Sequence, residues 1–114
     1  MSTNLLRAEK VLNFPNNKSF KARMSLDTIM RIEEVLGMSI LKLGNKLAQG
    51  DVTMAQIIQI LTLSIRAGGS DIQDNEVKQL VSEIGLMDAI KKTGELLAIA
   101  LHVEDEKKSR LTTS

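Results

Sequence analysis

TMAQIIQILTLSIRAGG, at residues 53–69, is the longest uninterrupted helical pattern in the chain. Its apolar side chains cover most of a helical wheel, which leaves a narrow polar strip of Gln56, Gln59, Thr62 and Arg66. A helix with so little polar surface has to be surrounded by other elements. We therefore expect this helix at the centre of a small helical domain.

Both ends of this central helix carry local signals. Thr53 is followed three residues later by Gln56, the spacing of a capping box in which each side chain satisfies a backbone N–H of the first turn. At the other end, Gly68 and Gly69 interrupt the pattern. Gly68 is predicted to take the left-handed conformation that closes many helices.

Four further helices are predicted where apolar residues recur every three or four positions. Three of them have a polar capping residue in front and a glycine behind. They span 26–36 (Ser25, Gly37), 40–49 (Ser39, Gly50) and 75–84 (Gln73 or Asp74, Gly85). The last runs over 86–102 and contains Gly94, which costs about 1 kcal/mol relative to alanine and so indicates close approach to a neighbour.

The two ends of the chain have a different pattern. Short extended-looking runs at 10–14 and 20–24 flank the turn formers PNNKS, which predicts a β-hairpin that leans on the helices. The charged segment 104–114 is predicted to be disordered. The expected fold is mainly α: a compact bundle of about five helices with an N-terminal hairpin at about 10–24, in one domain over 1–103.

Composition removes several classes of chemistry. The 114 residues include no cysteine, which excludes disulfides and thiolate sites, and the net charge of +1 gives no electrostatic footprint for nucleic acid or an anionic membrane. No apolar run fits a signal peptide or a membrane span, so a soluble cytoplasmic protein is expected. The one histidine, His102, is interpreted as solvated near a helix end. We predict no catalytic residue, metal or cofactor.

Glu33 is an unusual residue because it projects into the apolar side of the first helix. A carboxylate in that position needs a partner. The candidates are a nearby helix N-terminus or an arginine such as Arg23 or Arg66, and a direct binding role is the alternative. We predict a structural role, in which Glu33 is partly buried and hydrogen-bonded.

A partner surface is predicted on the polar strip of the central helix and on the helix after Gly37. Leu63 lies between Gln59 and Arg66, where it is either a singly exposed leucine of the ordinary kind or an anchor for a partner. Met38 and Leu41 are the candidates from the second surface. Aliphatic and methionine side chains of this kind suit adaptable contacts.

The order of these features resembles the phage tail assembly chaperone family of gene transfer agents and siphovirus-like prophages, whose relatives are also labelled tail tube proteins. The resemblance covers about 20–102. It lies in MSLDTIMRIEEVLG (24–37), LAQGDVTMAQI (47–57), IRAGGSDIQDNEV (65–77) and EIGLMDAIKKTGELLAIAL (83–101). The chain departs from many relatives in its longer Asn-rich hairpin turn and its charged C-terminal segment.

This resemblance implies a non-enzymatic helper of tail morphogenesis in the bacterial host cytoplasm. Its partners would be the tape measure protein and tail tube subunits, with a second copy of the chain as a further candidate. No specific nucleic acid or membrane partner is implied. The alternatives are a structural tail component and a small DNA-binding regulator, but the central helix is too apolar to contact bases and the basic residues do not cluster.

Overall fold

The computed structural model describes the backbone of residues 3–4 and 8–112 and the side chains of residues 8–103. Within these ranges the chain forms three strands and five helices. In order, they are β1 (Thr3–Asn4), β2 (Glu9–Phe14), β3 (Lys18–Arg23), α1 (Leu26–Leu36), α2 (Ile40–Ala48), α3 (Met54–Ala67), α4 (Asp74–Ile84) and α5 (Leu86–Thr112). The predicted fold class is confirmed. The other residues of the predicted domain and tail, namely 1–2, 5–7 and 113–114, lie outside the described ranges.

The N-terminal strands form a small antiparallel sheet in the order β1-β2-β3, so a short third strand accompanies the predicted hairpin. Asn16 and Asn17 form the turn with φ of 64° and 60°, a conformation that asparagine tolerates well. Leu12 pairs with Phe20, and Phe14 meets Phe20 edge to face at 6.0 Å between ring centroids. The inner face of the hairpin therefore adds the two aromatic rings of the chain to the helical core.

Helix α3 lies at the centre of the molecule, as predicted, and packs against β3, α1, α4 and α5. Its capping box is present: the Thr53 N–H donates to Gln56 Oε1 at 2.9 Å, and the Gln56 N–H donates to Thr53 Oγ1 at 3.1 Å. The buried side chains of α3 join those of the sheet and the other helices in one hydrophobic core. None of the described helices is both long enough and apolar enough to cross a membrane.

The polar strip of α3 is less exposed than the helical wheel predicts. Thr62 is fully buried, and Gln56 and Gln59 are half-buried, while the apolar Met54 at the start of the helix is exposed. The reason is that β3, α1, α4 and α5 all pack against α3, so little of its circumference is left exposed. Packing on several sides therefore buries polar positions that the helical wheel alone assigns to the surface.

Gly68 has a different role from the predicted one. Its φ of −79° is right-handed, and Gly69, with φ of 113°, is the residue that leaves the right-handed region. A Cβ on Gly68 would lie 2.6 Å from the carbonyl carbon of Lys21 and closer still to its oxygen. Gly68 is therefore needed because the end of α3 lies directly against the backbone of β3, where no side chain fits.

The C-terminal segment also differs from the prediction. The backbone of 104–112 is helical and continues α5 to Thr112, where a disordered tail was expected from the charged composition. The physical reason is that Glu, Lys and Arg are good helix formers, and the segment contains neither glycine nor proline to end the helix. A charged composition therefore did not prevent continuation of a helix already begun in the core.

Candidate protein-binding groove

Glu33 joins the end of α1 to the start of α2. The backbone N–H of Ile40 donates to Glu33 Oε2 at 2.9 Å, and the glutamate is half-buried. Ser39 caps the same helix, since its Oγ accepts from the Lys42 N–H at 3.1 Å. Of the partners considered for Glu33, the structure thus selects the helix N-terminus, where backbone N–H groups and the helix dipole favour a negative charge.

The residues predicted to bind a partner on α3 make contacts within the fold. Leu63 is half-buried and packs against the core. Gln59 Nε2 donates to Asp74 Oδ2 at 3.4 Å, and Arg66 Nε donates to the Ile72 carbonyl at 2.8 Å. The segment that enters α4 thus lies against this side of α3. The expectation that Leu63 stands exposed on a polar strip is wrong.

The second predicted surface, on the helix after Gly37, divides into two parts. Met38 is half-buried and packs against the core. Leu41, in contrast, has 59% of its surface exposed at the start of α2. Leu41 is therefore the one residue of the five predicted to bind a partner that presents a large exposed apolar side chain.

The glycines predicted to end helices lie where expected. Gly37, Gly50 and Gly85 follow or closely follow the ends of α1, α2 and α4.

An open groove of about 400 Å³ lies between α2 and α5, one turn of α2 away from Leu41. None of its lining side chains is ionisable, and most of them are aliphatic or glycine. The lining consists of Gly44, Asn45, Leu47, Ala48, Ile90, Gly94, Leu97, Ala98 and Leu101. The groove is thus a neutral apolar surface, which is a property of protein-binding sites more than of reaction centres.

Two glycines form the floor of this groove. A Cβ on Gly44 would lie 3.5 Å from Leu101 Cδ1, and one on Gly94 would lie 3.5 Å from Leu47 Cδ2. Because Gly44 precedes Leu47 in α2 while Leu101 follows Gly94 in α5, the two helices run antiparallel. The absence of side chains at both glycines keeps the floor deep. The neighbouring element predicted beside Gly94 is α2, and at 3.5 Å the contact is an ordinary one that leaves room for a Cβ.

Exposed apolar residues extend the groove at both ends. Met87 is 78% exposed and lies seven residues before Gly94, which places the two on the same face of α5. Leu41 lies three residues before Gly44 and continues the lining of α2 in the same way. Leu41 was predicted from the sequence as a partner contact, whereas Met87 and Ala98 were not. Met87 lies seven residues before Gly94 and Ala98 four residues after it, and this helical spacing could have placed both residues on the face of Gly94.

Other cavities of the described chain have a different character. One of about 300 Å³ lies between β3 and α4, where Phe20, Ile72 and Leu80 are accompanied by the charged Lys18 and Glu76. Another is the polar rim of the hairpin turn. Neither cavity provides an uncharged apolar surface that could contact a partner helix along its length. Of these three, the groove between α2 and α5 is the one shaped for an elongated apolar partner.

Within residues 8–103, no three histidine, aspartate or glutamate side chains are close enough together to hold a metal ion. His102 is exposed, as interpreted from the sequence, but it does not lie near a helix end, because α5 continues to Thr112. Lys91 lies seven residues before Ala98, which places it on the same face of α5, and it forms no ion pair with another described residue. The described site consequently offers apolar contact with one cation at its edge.

Comparisons with known proteins identify the family. The family model described as "Phage tail tube protein, GTA-gp10" matches residues 7–103, a span that contains the sheet strands β2 and β3, helices α1–α4 and both walls of the groove. No curated protein and no solved structure gave a match. The matched description names the tail tube, whereas the resemblance noted from the sequence was to tail assembly chaperones; both are tail proteins of phages and gene transfer agents. The chain belongs to the phage tail tube protein family GTA-gp10.

Proposed function

We propose that the protein is a non-enzymatic tail assembly chaperone that binds the tape measure protein, tail tube subunits or both in the bacterial host cytoplasm. Membership of a phage tail family restricts the role to tail structure or assembly. The observation that favours binding is the neutral groove between α2 and α5, with Met87 and Leu41 exposed at its ends. A monomer gains nothing from exposing such side chains, whereas a partner that covers them removes apolar surface from water.

The second candidate is a structural component that remains in the finished tail. The description of the matched family favours it, since it names the tail tube itself. Both candidates require binding to tail proteins, and they differ in whether the protein leaves before the tail is complete. A DNA-binding regulator is the third candidate. With 15 basic against 14 acidic residues, the chain lacks the charge excess from which DNA binders derive most of their affinity.

The test is co-expression of the chain with the tape measure and tail tube proteins encoded beside it, followed by purification on a tag carried by the chain. We expect one or both to co-purify. Mass spectrometry of assembly intermediates and of mature tails then separates the two candidates. A chaperone is present in intermediates and absent from tails, whereas a structural component is present in both in a fixed ratio.

Two outcomes contradict the proposal. If neither tail protein co-purifies with the chain, binding to those partners is excluded as its function. If a mobility-shift assay at physiological salt gives a nanomolar, sequence-selective DNA complex, the regulator replaces the chaperone. We expect only weak, non-selective DNA binding.

A further inference from the structure

We infer that the groove between α2 and α5 binds a single amphipathic helix of a partner protein, with a neutral contact face of aliphatic side chains and an acidic residue at its edge facing Lys91. The inference rests on the proposed function, because it names the kind of segment that a tail protein would contribute.

The dimensions fit one helix. From Met87 to Leu101 along α5 there are four turns, or about 21 Å at 1.5 Å per residue. A helix with side chains is about 10 Å wide, so the footprint is on the order of 200 Å². A stable interface between two globular proteins needs about 800 Å² on each partner. The groove thus has the size of one helical segment, and a dimer of this chain would need further contact surface beyond it.

The lining determines how the partner helix would lie. Small residues occupy the middle of the groove, with Gly44 and Ala48 on α2 and Gly94 and Ala98 on α5. Both alanines are exposed. A helix can approach closely over such small residues. Its leucine or methionine side chains would then fill the space above the glycines and alanines of the groove. The groove therefore has the shape of the space that a third helix fills when three helices pack together.

Charge defines the chemistry of the partner. The lining contains one amide, Asn45, and no ionisable side chain, so an ion on the contact face of the partner would lose water without gaining an opposite charge. Lys91 lies at the margin, where it is exposed and forms no ion pair with a described residue. Glu95, one turn further along α5, is already paired with Lys10 at 3.9 Å. An acidic residue opposite Lys91 is therefore complementary.

The probes are two synthetic 21-residue helical peptides that share a leucine and alanine contact face with glutamine elsewhere. One has glutamate and the other lysine at the edge position. Titration into ¹⁵N-labelled protein should shift the amide signals of Gly44 and Gly94 saturably, while those of Gly50 and Gly69 stay fixed. The glutamate peptide should bind about two- to fivefold more tightly, as expected for an exposed ion pair, and Lys91→Glu should reverse the order.

A matched pair of variants tests the same surface. Ala98→Glu places a charge in the groove, and Ala55→Glu places it at an exposed position of α3 outside the groove. Both should keep the circular dichroism spectrum of the wild type. Ala98→Glu should weaken peptide binding at least tenfold, and Ala55→Glu should leave it unchanged. Binding that is the same in both variants would overturn the inference.

The failure of this inference can be distinguished from failure of the proposed function. If the tail proteins co-purify equally with wild type and Ala98→Glu, and Gly44 and Gly94 do not shift, the function stands and the groove is not its site. If the peptides bind in the groove but no tail protein co-purifies, the groove inference stands and the proposed function fails. Concentration-dependent dimerisation of the wild type that Ala98→Glu abolishes in sedimentation would identify a second copy as the occupant and overturn the inference.

Discussion

Alanine at Gly68 is expected to destabilise the protein strongly, although its backbone conformation suits alanine. With φ of −79°, Gly68 lies in the right-handed region, and a methyl group there costs nothing in backbone strain. The obstacle is β3. The new Cβ would lie 2.6 Å from the carbonyl carbon of Lys21, whereas ordinary contact begins at 3.4 Å, so the two segments must separate by at least 0.8 Å.

Neither side of this contact can yield easily. The atoms that collide with the new methyl group are backbone atoms of a paired strand, so no side-chain rotation relieves the overlap. Overpacking that forces backbone shifts costs about 1–3 kcal/mol, and we expect Gly68→Ala near the upper end of that range. Urea unfolding followed by far-ultraviolet circular dichroism measures the loss.

Gly94→Ala is the matched control. A Cβ on Gly94 would lie 3.5 Å from Leu47 Cδ2, an ordinary contact, and the position is inside a helix. Alanine should therefore stabilise the protein by about 0.5–1 kcal/mol through helix propensity and lower chain entropy in the unfolded state. The two glycine substitutions should change the free energy of unfolding in opposite directions. If Gly68→Ala unfolds at the wild-type urea concentration, the close approach of α3 and β3 is refuted.

Three further substitutions test single contacts by the same unfolding assay. Glu33→Ala should lower the free energy of unfolding by about 1–3 kcal/mol because the Ile40 N–H loses a charged acceptor at 2.9 Å, and unchanged stability would exclude the structural role. Leu63→Asp should destabilise the fold by at least about 1 kcal/mol, since this leucine packs against the core, and a fully stable variant would return Leu63 to the list of partner contacts. Thr62→Val should raise stability by about 1 kcal/mol, because the buried Thr62 Oγ1 has no hydrogen-bond partner among the described residues and valine has nearly the same shape. A loss of stability in the valine variant would show that the hydroxyl is hydrogen-bonded.

Local interactions explain why much of the fold could be predicted from the sequence. The capping box of Thr53 and Gln56 and the capping serines Ser25 and Ser39 act between residues three positions apart, so the starts of α1, α2 and α3 are encoded where they occur. The periodicity of apolar residues likewise reports which face of a helix is buried. The central position of α3 followed from the breadth of its apolar surface, and Glu33 stood out because it interrupts an apolar face.

What only the tertiary structure decided depends on neighbours that are distant in the chain. The sequence placed Gly94 inside the last helix, but it did not show that α2 and α5 pack together and leave a groove beside this residue. The close approach of Lys21 to Gly68 and the burial of Leu63 have the same origin. Periodicity and capping are set by neighbours within one or two helical turns and can be read along the chain. Which surface remains uncovered depends on how all the elements pack at once, and no local pattern contains that information.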